Sequence, residues 1–534
     1  MSTATPTAPL YPRRWWAFAV LCFAVLVIVL DNTILNVALP TLARELAASA
    51  SQLQWMVDAY VLVFAGLLLT TGSLGDRFGR RRALTAGLLL FGAGSLWAAW
   101  SGSANLLIAA RALMGVGGAL IMPATLSITT NIFSGAERTR AIGAWAGVAG
   151  LAIVLGPVTA GWLLAHFWWG SVFLINLPVV VAVLAAAALL VPESKDPHAS
   201  PLDPLGAALS IAGLTALLYA IIEVPAHGWT DRTILAAFAV AAALLAGFVA
   251  WELRAPAPML DMRLFRNPRF SAASLAITLA SFAMFGSFFF LTQYLQLVLG
   301  YTALQAGVRV FPVAVGLAAG AGLSSRLVGR AGTKLLVAAG LLIAAGGLAL
   351  LATASATSGY GLLLAVLLIL GLGLGTVMAP ATDSIMGALP LAHAGVGSAV
   401  NDTTRQVGGA LGVAVLGSLL SSAYRAAMDG AGVVRALPGP VAAAARDSVA
   451  KAGAVALQLG GQPGQAVLAA ARQAFIDAMD RTVLVAAAVA VLGALVALLF
   501  LPARAEAGTD DGRARPVEAQ AGAEAEDARE LVTA

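Results

Sequence analysis

Residues 30–40 carry a carboxylate near the end of a long apolar run, and they read Leu30-Asp31-Asn32-Thr33-Ile34-Leu35-Asn36-Val37-Ala38-Leu39-Pro40. The run begins near Trp15, so it is long enough to cross a bilayer as a helix, which takes about 20 apolar residues. An ionisable side chain inside such a segment is energetically expensive and is a functional hypothesis by default. The stretch therefore predicts a membrane-spanning helix with Asp31 as a functional residue.

Composition extends this prediction to the whole chain of 534 residues. Hydrophobic residues make up 60% and charged residues 11%, and the mean hydropathy is +0.90, which excludes a soluble globular protein. The apolar runs are too long for barrel strands, so we predict an all-α integral membrane fold. Fourteen windows have the length of a transmembrane helix: 15–39, 53–73, 83–101, 105–131, 141–165, 170–191, 204–224, 233–252, 270–293, 304–325, 335–354, 359–381, 398–421 and 482–502.

Basic residues are distributed unevenly over the predicted loops. The short loops on one side hold only Arg44 and Arg232, whereas most other arginines fall in the N-terminus and in the loops of the opposite side. The positive-inside rule therefore predicts a multi-pass plasma (inner) membrane protein with both termini in the cytoplasm. The net charge of +5 is a topology signal under this interpretation, and it does not predict a nucleic-acid partner.

Other classes of chemistry find little support in the sequence. Cys22 is the single cysteine, and the four histidines lack the spacing of metal ligands. The phosphate-binding pattern G-x-x-x-x-G-K-S/T does not occur, so a nucleotide partner and ATP drive are not expected. We expect no cofactor, no metal site and no enzymatic activity.

A faint internal repeat divides the chain into two halves. Similar stretches recur in the same order at offsets of 250 to 257 residues, namely 72–80 with 322–330, 51–57 with 302–308, and 123–128 with 380–385. We predict two six-helix halves, 15–191 and 270–502, related by a pseudo-twofold parallel repeat, with two inserted transmembrane helices in 204–252. Such repeats place a substrate site near the membrane midplane where the halves meet.

Three segments lie outside the predicted helix bundle. Residues 1–14 form a cytoplasmic N-terminus, and the polar, acidic residues 503–534 are expected to be a disordered cytoplasmic tail. The outer loop 422–481 is predicted to contain one or two short amphipathic helices, the second of which runs into the fourteenth span. Gating, a surface partner and an incidental insertion are all open for this loop.

Four motifs stand in a fixed order along the first five predicted helices. They are Leu30 to Pro40, the loop from Gly72 to Arg80, Arg111 with a glycine cluster, and a glycine-proline pattern in the fifth helix. This set resembles the major facilitator superfamily, and specifically its fourteen-helix drug:proton antiporter branch. The resemblance covers nearly the whole predicted membrane region and implies an alternating-access carrier.

The loop motif consists of Gly72, Asp76, Arg77, Gly79 and Arg80. Glycines permit a tight turn and a close approach of helices. The resemblance implies a conformational role, in which Asp76 and the arginines form a charge network that closes the inner face. An ordinary basic inner loop is the alternative.

Asp31 and Arg111 are the predicted proton-coupling residues. Burial favours the protonated form of a carboxylate, so Asp31 can bind the coupling proton or pair with a cationic substrate. A helix-capping role at the interface is the alternative. Arginine stays charged at any working pH, and Arg111 is therefore expected to respond to the protonation of a neighbouring carboxylate.

The fifth predicted helix contains Gly143, Gly156, Pro157 and Gly161. The resemblance associates this pattern with exporters, although two of its glycines are alanine in this chain. Small residues let helices approach, and proline bends a helix, which suits a gate between two conformations. A packing helix of the kind found in any carrier is the alternative.

Asp58, Asp402 and Arg405 are further candidates for a substrate or proton site. Asp402 and Arg405 lie three residues apart in the thirteenth predicted helix, where they can simply neutralise each other. Asp58 lies in the second helix and can face a cavity or the outer mouth.

The function predicted from these features is proton-driven export of amphipathic, cationic drugs, dyes or antibiotics. Its predicted partners are a small-molecule substrate, protons and the lipid bilayer. The alternative is a dedicated exporter of one endogenous metabolite, lipid or self-made antibiotic. An importer is disfavoured by the motif of the fifth helix.

Overall fold

The computed structural model describes residues 11–133, 135–195, 202–388 and 394–502, and within them every regular element is helical. The residues before the inserted pair form α1 Arg14–Glu45, α2 Ala50–Phe78, α3 Arg80–Ala99, α4 Ala104–Ile132, α5 Gly135–His166, α6 Ser171–Leu174 and α7 Asn176–Leu190. The inserted helices are α8 Pro204–His227 and α9 Arg232–Glu252. The predicted tail 503–534 and most of the segment 1–14 lie outside the described residues.

The second part of the chain begins with a short 3-10 helix, Met262–Arg266. The helices that follow are α10 Pro268–Gln293, which continues into a π-helix over Tyr294–Val298, α11 Ala303–Val310, α12 Pro312–Leu351, α13 Tyr360–Gly387, α14 Ala394–Gly430, α15 Gly432–Arg435, α16 Gly439–Asp447, α17 Val449–Leu459 and α18 Gly461–Phe500. The outer loop predicted over 422–481 thus contains three short helices rather than one or two. Its last part belongs to α18.

Twelve of the described helical segments are long and apolar enough to cross a membrane. One of them, Ala303–Leu351, contains two predicted spans, separated by Gly332 with the non-helical angles φ 76° and ψ 163°. The fifth predicted span lies in α5, where several residues are not described. The protein is an all-helical, multi-pass membrane protein, and the count of fourteen spans stays a prediction.

Two large apolar clusters form the interior, one mainly in each predicted half. We call the end of the bundle at which α1 begins the inner side, following the predicted topology, and the opposite end the outer side. At the outer side, α2 and α11 each begin with a capping box, Ser49 with Gln52 and Thr302 with Gln305. These reciprocal hydrogen bonds satisfy backbone donors that a helix start leaves free.

The inserted helix α8 packs against both halves. Its Ile211 lies directly on Gly66 of α2, while Ser418 of α14 donates a hydrogen bond to the carbonyl of Ile221 at 2.7 Å. Asp203 caps the start of α8 by accepting from the backbone of Gly206 at 2.8 Å. α8 therefore covers the seam between α2 and α14.

Candidate functional site

Asp31 and Arg111 form an ion pair in the interior of the first half. Asp31 comes from α1 and Arg111 from α4, and each side chain is only 1% exposed. Arg111 donates from Nη1 to Oδ2 of Asp31 and from Nε to the carbonyl of Met56 at 3.1 Å. The guanidinium also lies 4.4 Å from the ring centre of Tyr60, a favourable cation–π distance.

The second oxygen of Asp31 is bound by Asn176. The amide Nδ2 of Asn176 donates to Oδ1 of Asp31 at 2.8 Å and to the hydroxyl of Ser95 at 3.1 Å. Asn176 is the first residue of α7, which follows α6 through Ile175, a residue with helical backbone angles (φ −59°, ψ −23°). Asn176 was not predicted from the sequence, although a lone amide in the apolar sixth window was a usable signal.

The pair has a defined electrostatic consequence. A buried charge that loses its partner is strongly destabilising, by about 3–5 kcal/mol when a buried pair is broken. Protonation of Asp31 would leave the permanently charged Arg111 without its counter-ion. The arrangement can therefore convert a proton-binding event into a reorganisation of α1 against α4.

Asp58 is buried without compensation. Its side chain is fully buried, and neither carboxylate oxygen has a hydrogen-bond partner among the described residues. Gln54, one turn earlier on α2, lies on Gly417 of α14, and Leu62, one turn later, packs in a cluster with Ala410 of α14. Asp58 is thus on the face of α2 that meets the second half.

Asp402 and Arg405 are paired with each other and are distant from this face. Their oxygen and nitrogen lie 3.2 Å apart, with side chains 22% and 38% exposed. Ala410, which packs in a cluster with Leu62, lies eight residues further along α14 than Asp402, or about 12 Å at 1.5 Å per residue. The structure brings Asp31 and Arg111 together, and it leaves Asp402 and Arg405 as a separate pair towards the inner side.

The loop motif lies at the inner junction of α2 and α3. Asp76 accepts from Nε of Arg80 at 2.7 Å, and Gly79 joins the helices with a φ of 119°, which favours glycine. Gly72 faces α4, while the guanidinium of Arg77 lies 5.7 Å from the ring centre of Phe78. The predicted charge network therefore includes Asp76 and Arg80.

Glu193, after α7, extends this network and was not predicted. Its Oε1 accepts from the backbone of Arg81 at 3.1 Å, and its Oε2 lies 3.7 Å from the Arg81 guanidinium. The carbonyl of Ser194 accepts from the backbone of Arg80 at 2.9 Å. An acidic residue directly after the sixth span was the available signal.

The fifth-helix motif makes close contacts on two sides. A side chain at Gly156 would overlap Thr33 of α1. A Cβ at Gly161 would lie 2.5 Å from Cα of Leu304 in α11, and a side chain at Gly307 of α11 would overlap the carbonyl of Pro157. These residues allow α5 and α11, which belong to different halves, to touch through their backbones. Gly143 lies in α5, but its surroundings are outside the described part of the chain.

Two hydrogen bonds join α1 to α10 near the outer side. Thr292 donates to the carbonyl of Asn36 at 2.8 Å, and Gln296, just beyond α10, donates to that of Val37 at 2.9 Å. Pro40 has no backbone N–H, so the Asn36 carbonyl lacks its usual helical donor. The proline of the opening motif thus frees an acceptor that the second half uses.

The described residues contain no group of three or more His, Cys, Asp or Glu placed to hold a metal ion.

The family model described as Major Facilitator Superfamily matches residues 21–413. The Multidrug efflux pump LfrA of Mycolicibacterium smegmatis is 38% identical over 93% of this chain and 97% of its own. The Tetracenomycin C resistance and export protein of Streptomyces glaucescens is 34% identical over 92% and 93%, respectively.

The fold also matches a solved structure. A bacterial homolog of the human lysosomal transporter Spinster, in an inward-facing and unoccupied conformation, superposes with a TM-score of 0.64. The match covers 92% of this chain and 98% of that one at 18% sequence identity. At this identity the comparison supports the fold alone.

Proposed function

The chain belongs to the Major Facilitator Superfamily, and we propose that it is a proton-driven secondary active exporter, a drug:proton antiporter. Transporters of this family carry small molecules across membranes and are not enzymes. The proposed cargo comprises amphipathic, cationic drugs, dyes or antibiotics, and the proposed mechanism is alternating access. The two relatives named above support export, since their names describe an efflux pump and an export protein.

The observation that carries the proposal is the uncompensated carboxylate of Asp58. A buried carboxylate without a partner is costly in its charged form. Two events relieve that cost, namely protonation and the arrival of a cationic substrate. Because one carboxylate cannot accept both at once, a proton and a cation compete for it, and their competition is the basis of exchange.

Asp31 and Arg111 supply the second part of the mechanism. Their pair is sealed inside the first half, so it responds to a proton rather than to a bulky substrate. We assign Asp31 and Arg111 to proton coupling and Asp58 to the site where substrate and proton compete. We assign Asp402 and Arg405 a structural role, as a local ion pair near the inner side.

Gating is proposed at both sides of the membrane. At the outer side, the contacts of α1 with α10 and of α5 with α11 hold the halves together and must separate for release. At the inner side, the Asp76–Arg80 ion pair joins α2 to α3, and Glu193 holds the start of α3 through the backbone and the guanidinium of Arg81. Gly161 permits the contact of α5 with α11 because it has no side chain, the Pro157 carbonyl accepts the close approach of Gly307, and Gly156 lets Thr33 of α1 pack against α5.

The proposed topology has fourteen transmembrane helices in the plasma membrane and both termini in the cytoplasm. Two of the proposed spans come from α12 and the adjacent α11, on either side of Gly332. The remaining additional span is α5. The uneven distribution of arginines supports the orientation.

The test uses proteoliposomes with an acidic lumen, a trapped pH dye and ethidium added outside. We expect ethidium and unrelated lipophilic cations to dissipate the pH gradient, and Asp58→Asn to reduce this rate at least tenfold. Asp477→Asn is the matched control, since this carboxylate is exposed on α18. Dissipation at the wild-type rate in Asp58→Asn refutes the exchange site, and a wild-type protein that is inert to every cation refutes multidrug antiport.

A dedicated exporter of one compound is the second candidate. Its specific support is the relative named for tetracenomycin C. Under this alternative, one metabolite, lipid or self-made antibiotic would dissipate the gradient while ethidium and other cations would not. A panel of both kinds of compound in the same assay separates the two functions.

A further inference from the structure

We propose that Asn176 is a positioning residue for Asp31 and that its amide holds the carboxyl group in both protonation states. The inference rests on the proposed proton coupling through Asp31. Asn176 occupies Oδ1 of Asp31 through its Nδ2, while Arg111 occupies Oδ2. The amide oxygen of Asn176 is buried and has no partner among the described residues.

The two protonation states of Asp31 need different partners. The carboxylate accepts hydrogen bonds only, whereas the carboxylic acid also has an O–H to donate. Arg111 offers donors only and cannot receive that proton. The amide of Asn176 offers donors at Nδ2 and an acceptor at Oδ1. With Nδ2 towards Asp31 it binds the carboxylate, and after a rotation of about 180° about its terminal torsion its Oδ1 can accept from the carboxylic acid.

Ser95 completes the arrangement from α3. Its hydroxyl is fully buried and accepts from Nδ2 of Asn176 at 3.1 Å. A hydroxyl both donates and accepts, so Ser95 can follow the amide when its oxygen turns towards Asp31. From the N-terminal end of α7, the Asn176 side chain contacts Asp31 of α1 and Ser95 of α3 together.

A purely structural role for Asn176 makes a different prediction. If Asn176 only fills space between α1, α3 and α7, its replacement lowers the stability of the protein but leaves the proton affinity of Asp31 unchanged. A positioning role changes the proton affinity, because hydrogen bonds to a charged acceptor are about twice as strong as neutral ones. The decisive measurement is therefore the titration of Asp31 and not the transport rate.

Infrared difference spectroscopy of the reconstituted full-length protein follows the C=O band of protonated Asp31, which is identified by its loss in Asp31→Asn. We expect Asn176→Leu to raise the titration midpoint of Asp31 by at least one pH unit, a tenfold increase in proton affinity, because the carboxylate loses a donor. The C=O band should also change position. Asn176→Gln retains the amide and should recover part of the shift. Ser171→Ala, which removes a nearby buried hydroxyl without a partner, should leave midpoint and band unchanged.

An unchanged midpoint and band in folded Asn176→Leu overturns the inference. If Asn176→Leu does not fold, Ser95→Ala provides the test. We expect it to shift the titration midpoint of Asp31 by a smaller amount, and an unchanged midpoint would overturn the inference. The result is separable from the proposed function, because the titration needs no substrate. A shifted midpoint in a protein that fails to exchange protons for cations supports the inference and refutes antiport.

Discussion

Replacing Thr292 with valine is expected to open the outer side of the protein. Thr292 of α10 donates to the carbonyl of Asn36, which Pro40 leaves without a helical donor. Valine has nearly the same shape but no hydroxyl. With the outer side closed, the Asn36 carbonyl would then be buried without a partner, whereas water can satisfy it once that side opens.

The magnitude follows from the cost of that unsatisfied group. Leaving a buried acceptor unpaired costs about 1–3 kcal/mol. A change of about 2 kcal/mol is about thirty-fold in an equilibrium constant, since 1.4 kcal/mol is tenfold. An outward-open population of about 1% would therefore rise to about a quarter.

Distances between spin labels at Gly102→Cys and Ala356→Cys measure this population. Both positions are exposed on outer loops, one in each half, and Cys22→Ser removes the native thiol. Thr292→Ser keeps the donor and is the matched control, for which we expect the wild-type distance distribution. Identical distributions for wild type and Thr292→Val would refute the reasoning, because the hydrogen bond would then contribute nothing to closure.

Three further predictions concern other contacts of the site. Gly161→Ala should raise the outward-open population in the same label assay, since overpacking the contact with α11 costs about 1–3 kcal/mol. Gly150→Ala on the same helix is the control and should leave this population unchanged, because its new Cβ has nothing within 4 Å. Arg111→Lys should reduce proton-coupled exchange by at least tenfold, because lysine cannot bind the carboxylate, the carbonyl and the aromatic face together; exchange at the wild-type rate would contradict the proposed pair. A double-mutant cycle of Asp402→Asn and Arg405→Gln, measured by thermal unfolding, should give a coupling of about 1 kcal/mol or less, as for a partly exposed pair.

The membrane class and the ion-pair candidates were accessible from the sequence for a physical reason. Apolar runs of about 20 residues and a carboxylate within one of them are local signals. The family resemblance then singled out Asp31 and Arg111, which lie 80 residues apart in the chain. That resemblance is confirmed by the family match and the relatives.

The partners of these residues were not accessible, because they depend on the path of the chain. Asn176 reaches Asp31 because α7 packs against α1, and Gly307 matters because α11 crosses Pro157. Glu193 likewise belongs to the loop network through the return of the chain after α7. A single sequence carries no signal for such pairings beyond an isolated polar or small residue.

α1 links the proposed proton site to the outer contact within one continuous helix. Asp31 holds α1 to the core of the first half, Thr33 packs on α5, and the carbonyl of Asn36 accepts from Thr292 of the second half. Asn36 follows Asp31 by five residues, or about 7.5 Å along the axis. Pro40 creates the free acceptor at Asn36 and also weakens the helix at that point. If protonation of Asp31 shifts α1, as proposed, the shift acts directly on a hydrogen bond that joins α1 to α10 at the outer side, and no longer pathway through the bundle is required.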